Sequence, residues 1–532
     1  YMDIKEQYKD CILFYRLGDF YEMFFEDAIT CSKVLEITLT GKNCGLEERA
    51  PMCGVPYHSV ESYLSKMIEN GYKVAICEQV EDPKEAKGIV KRDVTRIVTP
   101  GTNLNMQVLD ETKNNYLMSI MYTINNYGIA VVDITTGDFF VTEVDTIRKL
   151  EDEINKYSPS EIICNETFYI SGFDIDGIAD RLNITVSSLE YWYYDEEGAK
   201  NKIKSHFKVD SLMGLGLADY DIGTIAAGGL LQYLYETQKN SLEHLTHITP
   251  YVTSKYMVLD SATRRNLELL ETLREKQKKG SLLWVLDKTK TAMGARLLRK
   301  YIEQPLVDYD SIIKRHDAID ILNNNVITRE ELREYLNPIY DLERLLTKVS
   351  YKSVNPRDLI SLKTSMQMIP YIKCLIKDLE APLMQELYEQ IDSLEDLSEI
   401  INKAIEDDPP IAVKEGGIIK DGYNEDVDKL RRAKSEGKSW LAEIETKEKE
   451  NTGIKNLRIK FNKVFGYYLE VTNSYKDLVP ETWTRKQTLA NAERYITPEL
   501  KELEDMILGA EDKLYNLEYQ ISPDYVTVTI KE

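Results

Sequence analysis

The apolar pattern of the chain changes at about residue 224, and this change constrains the fold more than any other feature. Before it, helical and strand patterns are mixed. The sequence predicts a β-hairpin at 127–144 that turns at Thr136 and Gly137, a helix at 61–70 that ends at Gly71, and strands at 34–40, 72–77, 162–165 and 184–187. After it, apolar residues recur almost everywhere at helical spacing, and residues 282–286 have the dense apolar spacing of a helix buried between others. Because 532 residues are too many for one hydrophobic core, we predict mixed α/β domains followed by a long helical part.

A short alternating segment interrupts the helical half. Residues 426–450 are typical of a long charged helix, whereas residues 457–471 alternate apolar and polar side chains as a β-hairpin does. A new helix then begins at Thr497, the predicted N-cap, with Pro498 at the first helical position. The sequence therefore predicts a small β unit inserted between two long helices.

Residues 17–24 contain the most informative candidate site. Asp19 is a suitable helix N-cap, and it would place Phe20 at the first helical position, at the edge of a buried stripe, with Glu22 close by. The stripe itself has helical spacing and comprises Tyr21, Phe24, Ala28, Cys31 and Leu35. An exposed aromatic ring beside a carboxylate is suited to inserting into a base stack and contacting a base edge. Alternatively, Phe20 is ordinary core and Asp19 with Glu22 forms a capping box.

The charge distribution limits how the chain could bind nucleic acid. A net charge of −23 excludes a protein that binds DNA with its whole surface. Two segments are locally basic: residues 84–96 have five basic against two acidic residues, and residues 455–494 have eight against four. The side chains suited to phosphate contacts are Lys91, Arg92, Arg96, Lys463, Arg485, Lys486 and Asn491. For each of them, a solvated surface side chain is the alternative.

Other chemistry has little support in the sequence. Seven cysteines without a Cys-x-x-Cys pair indicate free thiols in a reducing compartment. His244 and His247 form a close pair, but no third metal ligand lies near them in the sequence. Asp133, on a predicted strand, allows a magnesium-dependent nuclease as one hypothesis, although a single carboxylate is a weak signal. No apolar run is long enough to span a membrane.

Four ordered segments resemble the mismatch-binding domain of the bacterial MutS family of DNA mismatch-repair proteins. They are Gly-Asp-Phe-Tyr-Glu at 18–22, Ala-Pro-Met-Cys-Gly-Val-Pro-Tyr-His at 50–58, Val-Ala-Ile-Cys-Glu-Gln at 74–79 and Arg-Ile-Val-Thr-Pro-Gly-Thr at 96–102. Further segments resemble the helical core and the clamp of that family, so that the resemblance covers roughly residues 1–520.

The resemblance implies an α+β multidomain fold. The expected parts are a mixed α/β mismatch-binding domain at 1–103, an RNase H-like connector at 104–235, an all-α core with lever helices at 236–428 and 497–520, a clamp with a small β insert at 429–496, and a remnant at 521–532. Residues 521–532 would be strand residues that precede an ATPase domain. No Gly-x-x-x-x-Gly-Lys-Ser/Thr motif occurs in the sequence, so we expect that domain to be missing from this chain.

The resemblance also implies a function. Phe20 would be the aromatic wedge and Glu22 the base-contacting acid of a protein that recognises mismatched or unpaired bases in duplex DNA, including small insertion or deletion loops. The chain would be a cytoplasmic homodimer without membrane association, and it would act with MutL-type repair factors. It would need no cofactor and have no enzymatic activity of its own, whereas the intact family protein binds Mg-ATP.

Three alternatives remain at this point. A helical scaffold protein without mismatch specificity would fit the acidic charge and the long helices, but it would leave Phe20 and the basic segments unexplained. A nuclease centred on Asp133 would require magnesium-dependent strand cleavage. A relative specialised for recombination junctions would not be expected to have the intact Gly-Asp-Phe-Tyr-Glu segment.

Overall fold

The computed structural model describes the chain except residues 46–47, 82–89, 125, 172, 241, 411–415, 463–465 and 532, and it describes only the backbone of residues 433–434, 511–512 and 519–531. The chain forms two compact units. The first comprises Tyr1–Tyr351 and Ile372–Ile391, and the second comprises Lys352–Tyr371 and Asp392–Glu532. Among the described residues, no helix has the length and apolar character needed to cross a membrane.

The first unit begins with a six-stranded sheet. Its strands are β1 (Ile12–Leu17), β2 (Phe20–Phe24), β3 (Thr40–Lys42), β4 (Ala50–Pro56), β5 (Val74–Gln79) and β6 (Arg92–Val98), and its helices are α1 (Met2–Gln7), α2 (Phe25–Leu35) and α3 (Val60–Glu69). The strand order is β3-β4-β2-β1-β5-β6, and only the β1–β5 pair is parallel. Helices α2 and α3 cover one face, where Phe14, Tyr21, Met23 and Met67 form a buried core.

The predicted helix after Asp19 is wrong. Gly18 adopts a φ of +59°, which glycine tolerates, and it forms a two-residue turn with Asp19. Leu17 then pairs with Phe20, so the residues that follow form strand β2 and the helix begins only at Phe25. All five stripe residues are nevertheless buried, because a strand and the helix after it can face the same core.

Three further predictions in this region have mixed outcomes. The strand at 72–77 and the helix at 61–70 are confirmed as β5 and α3, and Gly71 follows the helix with a φ of +80°. The strand predicted at 34–40 is wrong. Helix α2 continues to Leu35 and ends in a left-handed Glu36, and β3 begins only at Thr40. The apolar residues at the end of α2 face the core, and this pattern was mistaken for a strand.

A second sheet follows within the same unit. Its strands are β7 (Leu117–Thr123), β8 (Asn126–Asp133), β9 (Asp138–Val144), β10 (Glu161–Asn165), β11 (Thr185–Leu189) and β12 (Thr249–Pro250), in the order β11-β10-β7-β8-β9-β12. The helices are α4 (Ile147–Tyr157), α5 (Glu166–Tyr169), α6 (Ile175–Leu182), α7 (Glu196–Phe207) and α8 (Asp221–Gln238). The predicted hairpin at 127–144 and the predicted strands near 162–165 and 184–187 are confirmed.

Helix α8 lies directly against the second sheet. A Cβ atom on Gly128 would lie 2.3 Å from the backbone oxygen of Ile222, so only glycine allows this approach between β8 and the start of the helix. Leu230, Leu231 and Leu234 of α8 are fully buried in the core on this face of the sheet. The amphipathic helix α4 faces a separate core on the other side, which includes Leu150. The sheet is therefore covered on both faces.

A buried carboxylate joins the two sheets. Glu161 of β10 is inaccessible to solvent and accepts hydrogen bonds from Thr99 Oγ1 at 2.5 Å, Gly101 N at 3.0 Å and the Tyr233 hydroxyl at 2.6 Å. The Lys73 ammonium lies 3.9 Å from Oε1 of Glu161, the oxygen that also accepts from Tyr233. Burial and then the Glu161 carboxylate hold the pKa of Tyr233 well above its usual range, so the phenol stays protonated and donates.

The Asp133 carboxylate does not have the surroundings of a nuclease site. It is fully buried and accepts hydrogen bonds from the backbone and hydroxyl of Thr135, from Asn114 Nδ2 and from the backbone of Asn115, at 2.7–3.0 Å. These four bonds organise the turn after β8. Within the part of the chain that the structure describes, no three histidine, cysteine, aspartate or glutamate side chains are grouped to hold a metal ion. His244 instead uses Nε2 to bond the Ile134 carbonyl, at 2.8 Å.

The first unit continues with helices. They are α9 (Ser261–Asn266), α10 (Leu282–Leu286), α11 (Ala292–Glu303), α12 (Tyr309–Asn324), α13 (Val326–Leu336), α14 (Leu342–Ser350) and, after the second unit's first segment, α16 (Pro382–Gln390). Residues 282–286 were predicted to be buried between other helices, and this is wrong. Leu283 is buried, but Leu282, Val285 and Leu286 are about half exposed. Helix α10 has only five residues, so it covers a neighbour with one side chain.

The second unit contains two long helices and an inserted sheet. Its helices are most of α15 (Pro356–Ile376), α17 (Glu395–Ala404), α18 (Glu425–Thr452) and α19 (Pro498–Lys531). The strands are β13 (Arg458–Asn462), β14 (Gly466–Thr472), β15 (Thr484–Thr488) and β16 (Ala492–Ile496), all antiparallel in the order β13-β14-β16-β15. The inserted sheet encloses a small core that includes Leu457, Leu469 and Trp483.

Most predictions for this unit are confirmed. The charged helix and the hairpin at 457–471 are present as α18 and as β13 with β14, although the turn at 463–465 lies outside the described residues. Thr497 caps α19, because its Oγ1 accepts a hydrogen bond from Leu500 N at 3.1 Å. The strand expected at 521–532 is wrong, since α19 continues to Lys531.

Candidate nucleic-acid interface

Strand β2 presents Phe20 and Glu22 on one face. Successive side chains of a strand point to opposite faces, so Tyr21 and Met23 enter the core while Phe20 and Glu22 point away from it. Phe20 is 47% exposed, whereas Tyr21 is 4% exposed. Because β2 pairs with β1 on one side and β4 on the other, the exposed ring stands on a backbone that is held from both sides.

Glu22 already has a partner. Its Oε2 lies 2.5 Å from the Nζ of Lys42, the last residue of β3. The side chain of Glu22 is 16% exposed and that of Lys42 is 39% exposed. The ammonium also lies 5.6 Å from the centre of the Phe24 ring. The structure thus places an exposed aromatic ring beside a largely buried, ion-paired carboxylate.

The turn before Phe20 is supported by residues that the sequence did not single out. Arg16 Nε donates to the Gly18 carbonyl at 2.5 Å, and the guanidinium lies 3.9 Å from the centre of the Tyr57 ring. The backbone N–H of Tyr57 in turn donates to the Asp19 carbonyl at 2.9 Å. Tyr57 belongs to the motif at 50–58, and this motif is the sequence feature from which its role could have been predicted. Arg16 and Tyr57 therefore fix the turn that orients the exposed ring.

The three basic residues predicted on the first sheet differ in availability. Lys91 is exposed, and among the described residues its side chain has no ion pair. Arg92 donates Nε to the Arg16 carbonyl and Nη1 to the Val90 carbonyl, both at 2.8 Å. Arg96 has a longer ion pair with Glu61, at 3.8 Å between Nη2 and Oε1. Lys91 is therefore the most accessible of the three, and Arg92 has a structural role in addition to its charge.

Of the residues predicted to contact phosphates in the second unit, Arg485, Lys486 and Asn491 lie in or beside the inserted sheet. Lys486 is exposed at an irregularity where β15 shifts register between Arg485 and Gln487, so it is the extra residue of a β-bulge. Arg485 is 62% exposed and lies 3.4 Å from Glu493. Asn491 is exposed in the turn before β16, and its backbone oxygen bonds Asn473 N. Lys463 lies outside the described residues.

Three family models match consecutive parts of the chain. The model of MutS domain I matches residues 1–107, that of domain II matches 115–248, and that of domain III matches 262–522. The chain belongs to the MutS family. The resemblance inferred from the ordered motifs is thereby confirmed.

Curated relatives agree with this assignment. A protein of Lachnoclostridium phytofermentans named DNA mismatch repair protein MutS is 68% identical over 521 residues, which are 98% of this chain and 56% of that protein. Proteins of the same name from Acetivibrio thermocellus and Ruminiclostridium cellulolyticum are 57% and 56% identical, over 100% and 98% of this chain and 61% and 60% of their own lengths. The chain therefore spans less than two thirds of these MutS relatives.

The matched MutS domains contain the candidate residues. Phe20, Glu22 and the basic residues 91–96 fall within the domain I match, and the inserted sheet falls within the domain III match. Mixed α/β domains followed by a helical region, as expected for the fold, are present. The division at 103, 235, 428 and 496 stays a prediction.

Proposed function

We propose that this chain recognises mismatched or unpaired bases in duplex DNA, the first step of DNA mismatch repair. The observation that supports this most directly is the half-exposed Phe20 on a strand fixed on both sides, next to Glu22, within the part matched by MutS domain I. The relatives' shared name, DNA mismatch repair protein MutS, supports the same conclusion. The scaffold alternative would leave this ring and its neighbouring carboxylate without a role.

In the proposed mechanism, different residues bind the DNA backbone and recognise the mismatch. Exposed cations such as Lys91 and Lys486 bind phosphates, which positions the duplex without reporting its sequence. Phe20 then tests each step of the base stack. An intact pair resists kinking, whereas a mismatch is unstacked at lower cost, so that the ring enters and stacks for about 1–3 kcal/mol. Glu22 lies on the same face of the strand and is suited to meet the edge of the displaced base.

We extend the proposal to the finer features of the family. The second sheet would be the RNase H-like connector, α18 and α19 the levers, and the inserted sheet the clamp. The partners would be duplex DNA with a mismatch or small insertion/deletion loop, a second copy of the chain and MutL-type repair factors. The protein would act in the cytoplasm, and Mg-ATP would bind to the part of the relatives that this chain does not match. What supports these points is the family membership.

The proposal is tested by competition binding of the chain to a matched duplex and to the same duplex with one G·T pair, at two salt concentrations. We expect tighter binding to the G·T duplex and a loss of affinity for both duplexes at the higher salt concentration. Equal affinity for the two duplexes would contradict recognition and leave only backbone binding. No binding to either duplex would favour the scaffold alternative.

The proposed backbone contact of Lys486 gives a separate prediction. Lys486→Gln should weaken binding to matched and mismatched duplexes by the same factor, and it should reduce the slope of log affinity against log salt by about 0.9, the value for one phosphate contact. Lys403→Gln is the control, because it removes another exposed positive charge, which is paired with Glu399 on α17. An unchanged salt slope in Lys486→Gln would refute the contact.

A further inference from the structure

The ion pair between Glu22 and Lys42 involves the carboxylate that the proposed mechanism directs to a base. The carboxylate that should meet a base is held by an ammonium group at 2.5 Å. In the described part of the chain, Lys42 is the cation within ion-pair distance of Glu22, since Arg16 is directed to Gly18 and Tyr57. A rotation of Glu22 that brings Oε2 to a base breaks this contact. The ammonium group of Lys42 then needs another partner.

The position of Lys42 allows such an exchange. Strand β3 has three residues and lies at the edge of the first sheet, and Lys42 is its last residue. On the intervening strand β4, Gly54 pairs with Glu22. The Lys42 side chain therefore reaches Glu22 across β4. A partly exposed ion pair stabilises a protein only weakly, so it can open without disturbing the sheet.

We propose that Lys42 is a specificity-determining residue that exchanges partners at a mismatch. On a matched duplex it stays paired with Glu22 and makes no phosphate contact. When Phe20 enters the stack and Glu22 turns to the displaced base, the freed ammonium binds a DNA phosphate. This inference rests on the proposed function. It predicts that one phosphate contact forms on mismatched DNA alone.

The Lys42→Gln variant tests the exchange. Its affinity for the G·T duplex should fall about three- to tenfold, as expected for the loss of one charge-assisted contact. The salt slope on that duplex should decrease by about 0.9. On the matched duplex, affinity should change less than twofold and the salt slope should be unchanged. Lys149→Gln, which breaks a comparable 2.7 Å ion pair with Asp145 beside the second sheet, should change neither.

A double variant separates exchange from an ordinary phosphate contact. In Glu22→Gln the lysine has no carboxylate partner, so it is free on both duplexes. Adding Lys42→Gln to that background should therefore lower the affinity for matched and mismatched DNA by the same factor. Circular dichroism and the thermal midpoint establish that each variant folds, since both side chains lie outside the sheet's core.

The outcomes are distinct. A selective effect of Lys42→Gln on the G·T duplex in the wild-type background, and an equal effect in the Glu22→Gln background, would support the exchange. If Lys42→Gln lowered the affinity for the matched and the G·T duplex equally in both backgrounds, the exchange would be overturned and Lys42 would be a general phosphate contact. No effect on either duplex would overturn it in favour of a purely structural ion pair. A wild-type chain that prefers neither duplex would overturn the proposed function, and the exchange with it.

Discussion

Phe20→Ala should abolish the preference for mismatched over matched DNA. The substitution removes a stacking contact of about 1–3 kcal/mol, which corresponds to a loss of roughly 5- to 150-fold in affinity for the mismatched duplex. Affinity for the matched duplex should change little, because phosphate contacts supply it. The ring is half exposed and outside the buried core, so the variant should fold normally. Competition binding to the two duplexes measures both effects.

A control for this experiment removes an exposed aromatic ring elsewhere. Tyr191, beside the second sheet, is 84% exposed, and Tyr191→Ala should leave both affinities unchanged. If Phe20→Ala kept the wild-type ratio between mismatched and matched affinities, the wedge assignment would be wrong. A parallel loss of affinity for both duplexes would instead assign Phe20 to general DNA binding.

Glu161→Ala should cause the largest loss of stability. Three buried donors, Thr99 Oγ1, Gly101 N and the Tyr233 hydroxyl, would lose their shared acceptor. Leaving each buried donor unsatisfied costs about 1–3 kcal/mol, and breaking a buried ionic network costs about 3–5 kcal/mol in total. Urea denaturation followed by circular dichroism should therefore show that the variant begins to unfold at a clearly lower urea concentration than the wild-type chain.

Two further variants of this junction refine the test. Glu161→Gln keeps one acceptor oxygen and the side-chain volume, so its loss of stability should be intermediate. Glu166 is an exposed carboxylate just after β10, and Glu166→Ala should leave the free energy of unfolding within about 0.5 kcal/mol of the wild-type value. If Glu161→Ala were as stable as Glu166→Ala, the carboxylate would not be what holds the two sheets together. In either case the measurement reports stability independently of DNA.

The confirmed and the wrong predictions have a common physical basis. The hairpin at 127–144 and the capped start of α19 depend on local turn and capping chemistry, which a sequence displays directly. Residues 20–24 and 34–40 failed because their apolar spacing fits both a strand and a helix when the same core lies beneath. Leu282 and Leu286 failed because burial depends on which neighbours are present.

The candidate site shows the same division. The ordered motifs predicted Phe20 and Glu22 as site residues and indicated the family, and family models and relatives confirmed the family. They did not show that Lys42 pairs with Glu22, that Arg92 bonds backbone carbonyls, or that Arg16 and Tyr57 support the turn. The contacts of Lys42 with Glu22, of Arg92 with Arg16 and of Arg16 with Tyr57 join segments that are distant in the sequence.

The sequence by itself determined the family, the order of α/β and helical parts, and the residue types at the site, because turns, caps, periodicity and motifs are local properties of the chain. Tertiary structure alone decided that Phe20 stands on a strand, that its ring is exposed and that Glu22 is ion-paired. Sheet order placed β4 beside β2 and β3 beside β4, and only that packing placed an ammonium group 2.5 Å from the carboxylate.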